Sequence, residues 1–163
     1  MSVIYVLNGP NLNLLGSREP EVYGTFTLDD LEASLQKWAQ SQDETIKVLQ
    51  TNSEETLIGW IHAAILEKSS VVLNPAAFTH YSYALRDACA ALTGAGLLLI
   101  EVHITNPHTR ETFRHNSVIS GVASGVIAGF GVDSYLLALE QLTRRYTLQG
   151  AKENTMASSN DSE

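Results

Sequence analysis

Five short apolar runs, rich in β-branched residues, recur along the chain at 2–7, 45–49, 70–73, 97–102 and 125–128, and segments of helical period lie between most of them. Four of the runs are mostly apolar and look like strands covered on both faces. The run at 45–49 (TIKVL) alternates and is expected nearer a sheet edge. The segment 27–41 opens at Thr27, has Asp29 and Asp30 in its first turn and places Leu28, Leu31, Leu35 and Trp38 on one stripe, the pattern of a capped amphipathic helix. Ser53, followed by Glu54 and Glu55, opens a second helix carrying Leu57, Ile58, Ile61 and Ile65. Further helices are predicted from Thr79 to about Leu92 and from Val132 to about Tyr146. Strands alternating with helices predict an α/β fold: a flavodoxin-like, doubly wound, five-stranded parallel sheet with helices on both faces. One domain is expected over 1–148, and the apolar-poor tail 149–163 is expected to be disordered.

Charge and composition exclude several roles. A net charge of −8 with only 10 Lys and Arg, scattered along the chain, gives no surface for phosphate backbones, so no nucleic-acid partner is expected. No segment is apolar enough to span a bilayer and no basic leader precedes an apolar run, so a soluble, unprocessed, cytoplasmic protein with no membrane partner is expected. Cys89, the single cysteine, lies among apolar residues in LRDACAAL and reads as a core thiol, compatible with a reducing cytosol. A small-molecule ligand fits these constraints.

In a sheet of this type ligands bind beyond the carboxyl ends of the strands. There the sequence places NGPN after the first strand, NPAAFTH after the third and HITNPHTRETFRH after the fourth, a concentration of amide, imidazole and guanidinium groups. No glycine-rich phosphate loop is present, and in GVIAGFGVDS the third glycine of a dinucleotide fingerprint is replaced by Ser134. His80, His103, His108 and His115 have no carboxylate or cysteine at ligand spacing, so no metal site is expected. Lys37, Lys47, Lys68 and Lys152 fall on predicted polar surfaces or in the tail, leaving no buried lysine for imine chemistry. What remains is Tyr23 on a loop five residues after Arg18, several Asn, His103 at a strand end and Arg114. A tyrosine ordinarily titrates near 10 and serves as a base only where a cation favours its phenolate. The loop alone leaves open whether Arg18 does this or is merely solvated beside a packed ring.

Four stretches, LNGPNLNLLGSREPEVYG, NPAAFTHYSYALRDA, IEVHITNPHTRETFRHNSVIS and GVIAGFGVDSYLLAL, together resemble type II 3-dehydroquinate dehydratase, in the same order from about residue 3 to residue 146. The resemblance implies a cofactor-independent, reversible loss of water from 3-dehydroquinate to give 3-dehydroshikimate through an enolate, without a Schiff base. On it, Tyr23 matches the base and Arg18 its activator. Asn11 matches the group holding a water on the enolate oxygen, and His103 the general acid, with Glu101 beside it. Asn74 and the backbone of Ile104 and Thr105 match contacts to the carboxylate, and Asn74 also to the departing hydroxyl. His80 and Arg114 match contacts to the ring hydroxyls, and Asp87 an acid reaching in from a neighbouring subunit. A homo-oligomer, a dodecamer built from trimers, is implied as well. Arg110 is expected to support the site, and His108 and His115 match no role.

Two positions depart from the family pattern. Ala76 stands where Gly is common, which costs something if the backbone there has positive φ. Glu55 replaces a frequent Gly at the second helix start, where an acidic residue is harmless. The alternative reading is a catalytically weakened relative that binds a polyhydroxy carboxylate through Asn74, His80 and Arg114.

Overall fold

A computed structural model describes residues 3–144. The expected helix end near Tyr146 and the expected disordered tail at 149–163 lie outside the described residues. In chain order the elements are β1 (Ile4–Asn8), α1 (Pro20–Tyr23), α2 (Leu28–Ser41), β2 (Ile46–Gln50), α3 (Glu54–Leu66), β3 (Val71–Asn74), α4 (Tyr83–Gly94), β4 (Leu99–His103), β5 (Gly125–Ala128) and α5 (133–144). All strand pairs are parallel and the sheet order is β2-β1-β3-β4-β5. β2 is an edge strand, as its alternation predicts. The order reverses at β1 and β3, where the register sets Asn8 opposite Asn74.

Alternation along each strand sends successive side chains to opposite faces, and both faces are covered. Ile4 and Val6 pack with Leu31, Leu35, Ile100, Val102, Tyr135 and Leu139 on the α2 and α5 side. Tyr5 and Leu7 pack with Leu57, Ile61, Leu73, Leu85 and Leu92 on the α3 and α4 side. Double coverage is why β1 and β3 read as apolar runs; β5, expected from GVIA to be covered on both faces, is instead the second edge strand, with Val126 48% exposed, because among the described residues no further strand or helix closes over it. Leu31, Leu35, Leu57 and Leu92 are fully buried, each contributing about 1.5–3 kcal/mol of transfer free energy. Cys89 belongs to the second cluster, and burial pushes its thiol up to about 12. Among the described residues no helix is long and apolar enough to cross a membrane.

Local sequence sets the helix starts. Thr27 and Asp30 form a reciprocal capping box, with Asp30 N–H donating to Thr27 Oγ1 at 3.1 Å and Thr27 N–H to Asp30 Oδ2 at 2.9 Å. Ser53 Oγ accepts from Thr56 N–H at 3.1 Å to open α3, with Glu54 and Glu55 in the first turn. The helix predicted from Thr79 begins instead at Tyr83. Ser82 is its cap, accepting from Leu85 N–H at 3.1 Å, while Ala76–His80 form a 3-10 turn. Thr79 fails as a cap because its hydroxyl is drawn into a buried bond with Glu101. The first four strands also run one residue beyond their predicted ends, so Asn8, Asn74 and His103 are themselves terminal strand residues, fixed by the ladder.

Candidate active site

A cavity opens beyond the carboxyl ends of β1, β3 and β4. It gathers Asn11, Arg18, Tyr23, Asn74, His80, His103, Ile104, Thr105, Arg110 and Arg114. Gly9 lets the two strand exits run side by side, since a Cβ there would lie 2.6 Å from the Pro75 carbonyl oxygen. Asn11 adopts the left-handed region, φ 67°, which Asn tolerates, and its N–H donates to Asn52 Oδ1 at 2.9 Å. Ala76 does have positive φ, 49°, and lines the same cavity. Its Cβ therefore costs about 1–2 kcal/mol that glycine would not.

Glu101 and His103 are two residues apart on β4 and so share a face. Glu101 is fully buried. His103 Nε2 donates to its Oε1 at 2.7 Å, leaving Nδ1 as the ring nitrogen free to serve the cavity. Three hydroxyls also donate to the carboxylate: Thr79 at 2.5 Å, Ser117 at 3.0 Å and Ser120 at 2.5 Å. Burial alone would push this carboxyl up. The bond and charge of His103, with the bonds from Ser120 and Thr79, outweigh burial and hold it below the ordinary carboxylate range. A buried anion so held fixes the orientation of the imidazole.

His80 is arranged to stay neutral. Its Nδ1 donates to the Asn116 carbonyl at 2.8 Å, and its ring stands edge-on to Phe113. Burial pushes this imidazole down; the Arg114 and His103 charges act in the same direction, against the Asn116 carbonyl. Nε2 of the neutral ring is then an acceptor suited to a hydroxyl. Arg114 is anchored by Nε donating to Glu111 Oε2 at 2.6 Å.

Tyr23 ends α1, on a loop that leaves β1 through Gly16 at φ 89°. The Arg18 guanidinium lies 5.6 Å from its ring centroid and that of Arg110 lies 5.0 Å away. The mostly buried Arg110 reaches the ring from the segment after β4, with NH1 3.4 Å from Thr105 Oγ1. It thus comes nearer the ring centre than the arginine the sequence singles out.

Asp87 is the exception among the predicted residues. It is exposed on α4, paired with Arg86 at 2.7 Å, and does not line the cavity of its own chain. The His108 and His115 rings lie 5.6 Å apart and exposed, flanking the site. Among the described residues no three His, Cys, Asp or Glu side chains are grouped to hold a metal. Thr79, Ser117 and Ser120 are the site-supporting residues that sequence reasoning missed. Their only signal was position, in NPAAFTH and in RHNSVIS.

The arrangement brings to one cavity a phenol beside two guanidiniums, an imidazole bonded to a buried carboxylate, and amide and imidazole groups near them. Comparison with known proteins gives it a family. A 3-dehydroquinate dehydratase of Salinispora arenicola is 54% identical over 143 residues, covering 88% of this chain and 98% of that one. The crystal structure of a type II dehydroquinase from Propionibacterium acnes superposes with a TM-score of 0.83 at 48% identity, over 87% of this chain and 96% of that one. That of Butyrivibrio crossotus gives 0.84 at 40% identity, over 87% and 97%. The family described as Dehydroquinase class II matches residues 2–143, and the chain belongs to that family.

Proposed function

We propose that this enzyme reversibly dehydrates 3-dehydroquinate to 3-dehydroshikimate through an enolate, with no Schiff base and no cofactor. The observation that carries this is the opposition, across one cavity, of Tyr23 under two guanidiniums and His103 locked on Glu101. Tyr23, as its phenolate, takes the proton next to the ketone. The electrons move to the ketone oxygen, where a water held by Asn11 stabilises the enolate. The enolate then collapses, the C1–oxygen bond breaks and His103 supplies the proton that makes the departing hydroxyl water. Tyr23 holds the proton taken from carbon and His103 has lost one, so a proton returned between them resets the site.

The remaining residues hold the substrate. Asn74 and the backbone N–H groups of Ile104 and Thr105 bind the carboxylate, and His80 and Arg114 bind ring hydroxyls. Among the described residues neither the Ile104 nor the Thr105 N–H has a hydrogen-bond acceptor, as a carboxylate cradle requires. Asp87 points away from its own cavity and serves a neighbour's in a homo-oligomer, a dodecamer built from trimers. Residues 1–148 act as one catalytic domain in the cytoplasm.

The test is enone absorbance on mixing with 3-dehydroquinate. Activity that survives borohydride treatment in the presence of substrate is expected. A trapped lysine adduct would contradict the non-covalent route, and substrate binding without turnover would reduce the protein to a binding module.

A further inference from the structure

Tyr135 has no part in the scheme above, yet it is a fully buried polar side chain touching a substrate contact. It lies on α5, and its hydroxyl sits between Asn8 and Asn74, register partners at the ends of β1 and β3. Tyr135 Oη donates to Asn8 Oδ1 at 2.7 Å and accepts from Asn74 Nδ2 at 2.8 Å. Asn8 Nδ2 continues the chain to the Leu49 carbonyl at 3.2 Å. At the other end Asn74 Oδ1 accepts from Ala76 N–H at 3.1 Å.

The direction of every bond follows from the two backbone ends. A carbonyl only accepts, so Asn8 must turn its amide nitrogen to Leu49 and its oxygen to Tyr135. The single hydroxyl proton of Tyr135 is therefore committed to Asn8, and the hydroxyl can only accept from Asn74. That places the Asn74 nitrogen toward Tyr135 and its oxygen toward Ala76, whose N–H only donates. The two ends agree. A flipped Asn74 would set donor against donor at Ala76 and lone pair against lone pair at Tyr135, the latter wholly away from water. Burial also pushes the Tyr135 phenol above the ordinary tyrosine range, which keeps the proton on it.

We infer that Tyr135 and Asn8 are positioning residues that fix the amide of Asn74 in one orientation, so that it presents one N–H and one carbonyl lone pair to the substrate in a set order. The inference rests on Asn74 being a substrate contact, as proposed above.

The test is a double-mutant cycle of Tyr135→Phe and Asn74→Ala on the full chain, with kcat and KM for 3-dehydroquinate and thermal midpoints for each variant. Tyr135→Phe is expected to lower kcat/KM about tenfold, the scale of one misdirected hydrogen bond. Adding it to Asn74→Ala should cost nothing further, because the side chain it orients is gone. Losses that multiply, or a Tyr135→Phe variant with normal kcat/KM beside an impaired Asn74→Ala, would overturn the positioning role. An Asn74→Ala variant with normal kcat/KM would overturn the substrate contact itself. Asn8→Leu removes the proton acceptor from the far end and frees the Tyr135 proton to turn toward Asn74. It should reproduce the same loss and the same lack of additivity, and it carries the test should Tyr135→Phe not fold.

Discussion

Replacing Glu101 by Gln preserves shape and removes one charge at the best-connected buried group of the site. Glutamine can still accept from Thr79 and Ser117 through its oxygen. It cannot offer His103 a negative partner, and its nitrogen cannot accept from Ser120, which donates to the carboxylate at 2.5 Å. The loss is one charge-assisted bond, about 1.5–3 kcal/mol, and one redirected hydroxyl bond of about 1 kcal/mol, so roughly 3 kcal/mol near neutral pH. By size scaling this lowers the thermal midpoint by roughly 6–12 °C. The pH dependence has a definite sign. The folded carboxyl lies below its ordinary value of 4.5, so its contribution is complete above that value and is lost as pH falls through the folded one. Denaturant midpoints of both proteins from about pH 7 to about pH 3 should therefore converge in acid as the wild type alone loses this term. Turnover should fall about 100-fold as the acid loses its anionic partner. A stability gap that stays constant into acid, or a variant as stable as wild type at neutral pH, would refute the reasoning.

Tyr23→Phe keeps a ring under both guanidiniums and removes the base; folding should be unchanged while kcat drops about 10²–10⁴-fold, and a near-normal rate would reject the assignment. Arg110→Met should lower kcat more than it raises KM, because the guanidinium 5.0 Å from the Tyr23 ring acts on the base; a pure KM effect in steady-state kinetics would instead make it a binding group. Ala76→Gly should raise stability, since relief of about 1–2 kcal/mol of left-handed strain exceeds the roughly 0.4–1 kcal/mol of added freedom in the unfolded chain; a lower denaturant midpoint would contradict this.

The fold was legible because its constraint is repetitive. Two-sided burial leaves unbroken apolar runs, and capping chemistry marks α2 and α3 at Thr27 and Ser53. The third predicted start failed where a local rule met a tertiary demand. Thr79 has the chemistry of a cap, but the buried Glu101 carboxylate needs its hydroxyl more, and Ser82 caps in its place. The site was legible to the extent that its residues follow strands or share a loop, as Asn11, Asn74, His103, Arg18 and Tyr23 do. The hydroxyls around Glu101 and the bonds of Tyr135 could not be read, because serine, threonine and tyrosine are ordinary at those positions. Only long-range contact gives them a role, across 127 residues from Asn8 to Tyr135.

The two halves of the site are built to different standards, and the chemistry explains why. The proposed acid and the proposed substrate contact Asn74 stand on strand ends whose partners are buried. Glu101 and Asn74 are at most 3% exposed, and their hydrogen bonds leave each one workable orientation. The proposed base stands on a partly exposed loop, and the two cations beside its ring come from different elements: Arg18 from the loop itself and Arg110 from the segment after β4. The Arg110 charge reaches Tyr23 only while the loop lies against that segment. Ala76 sits on the rigid half, where strain of about 1 kcal/mol is held by the surrounding ladder rather than relaxed.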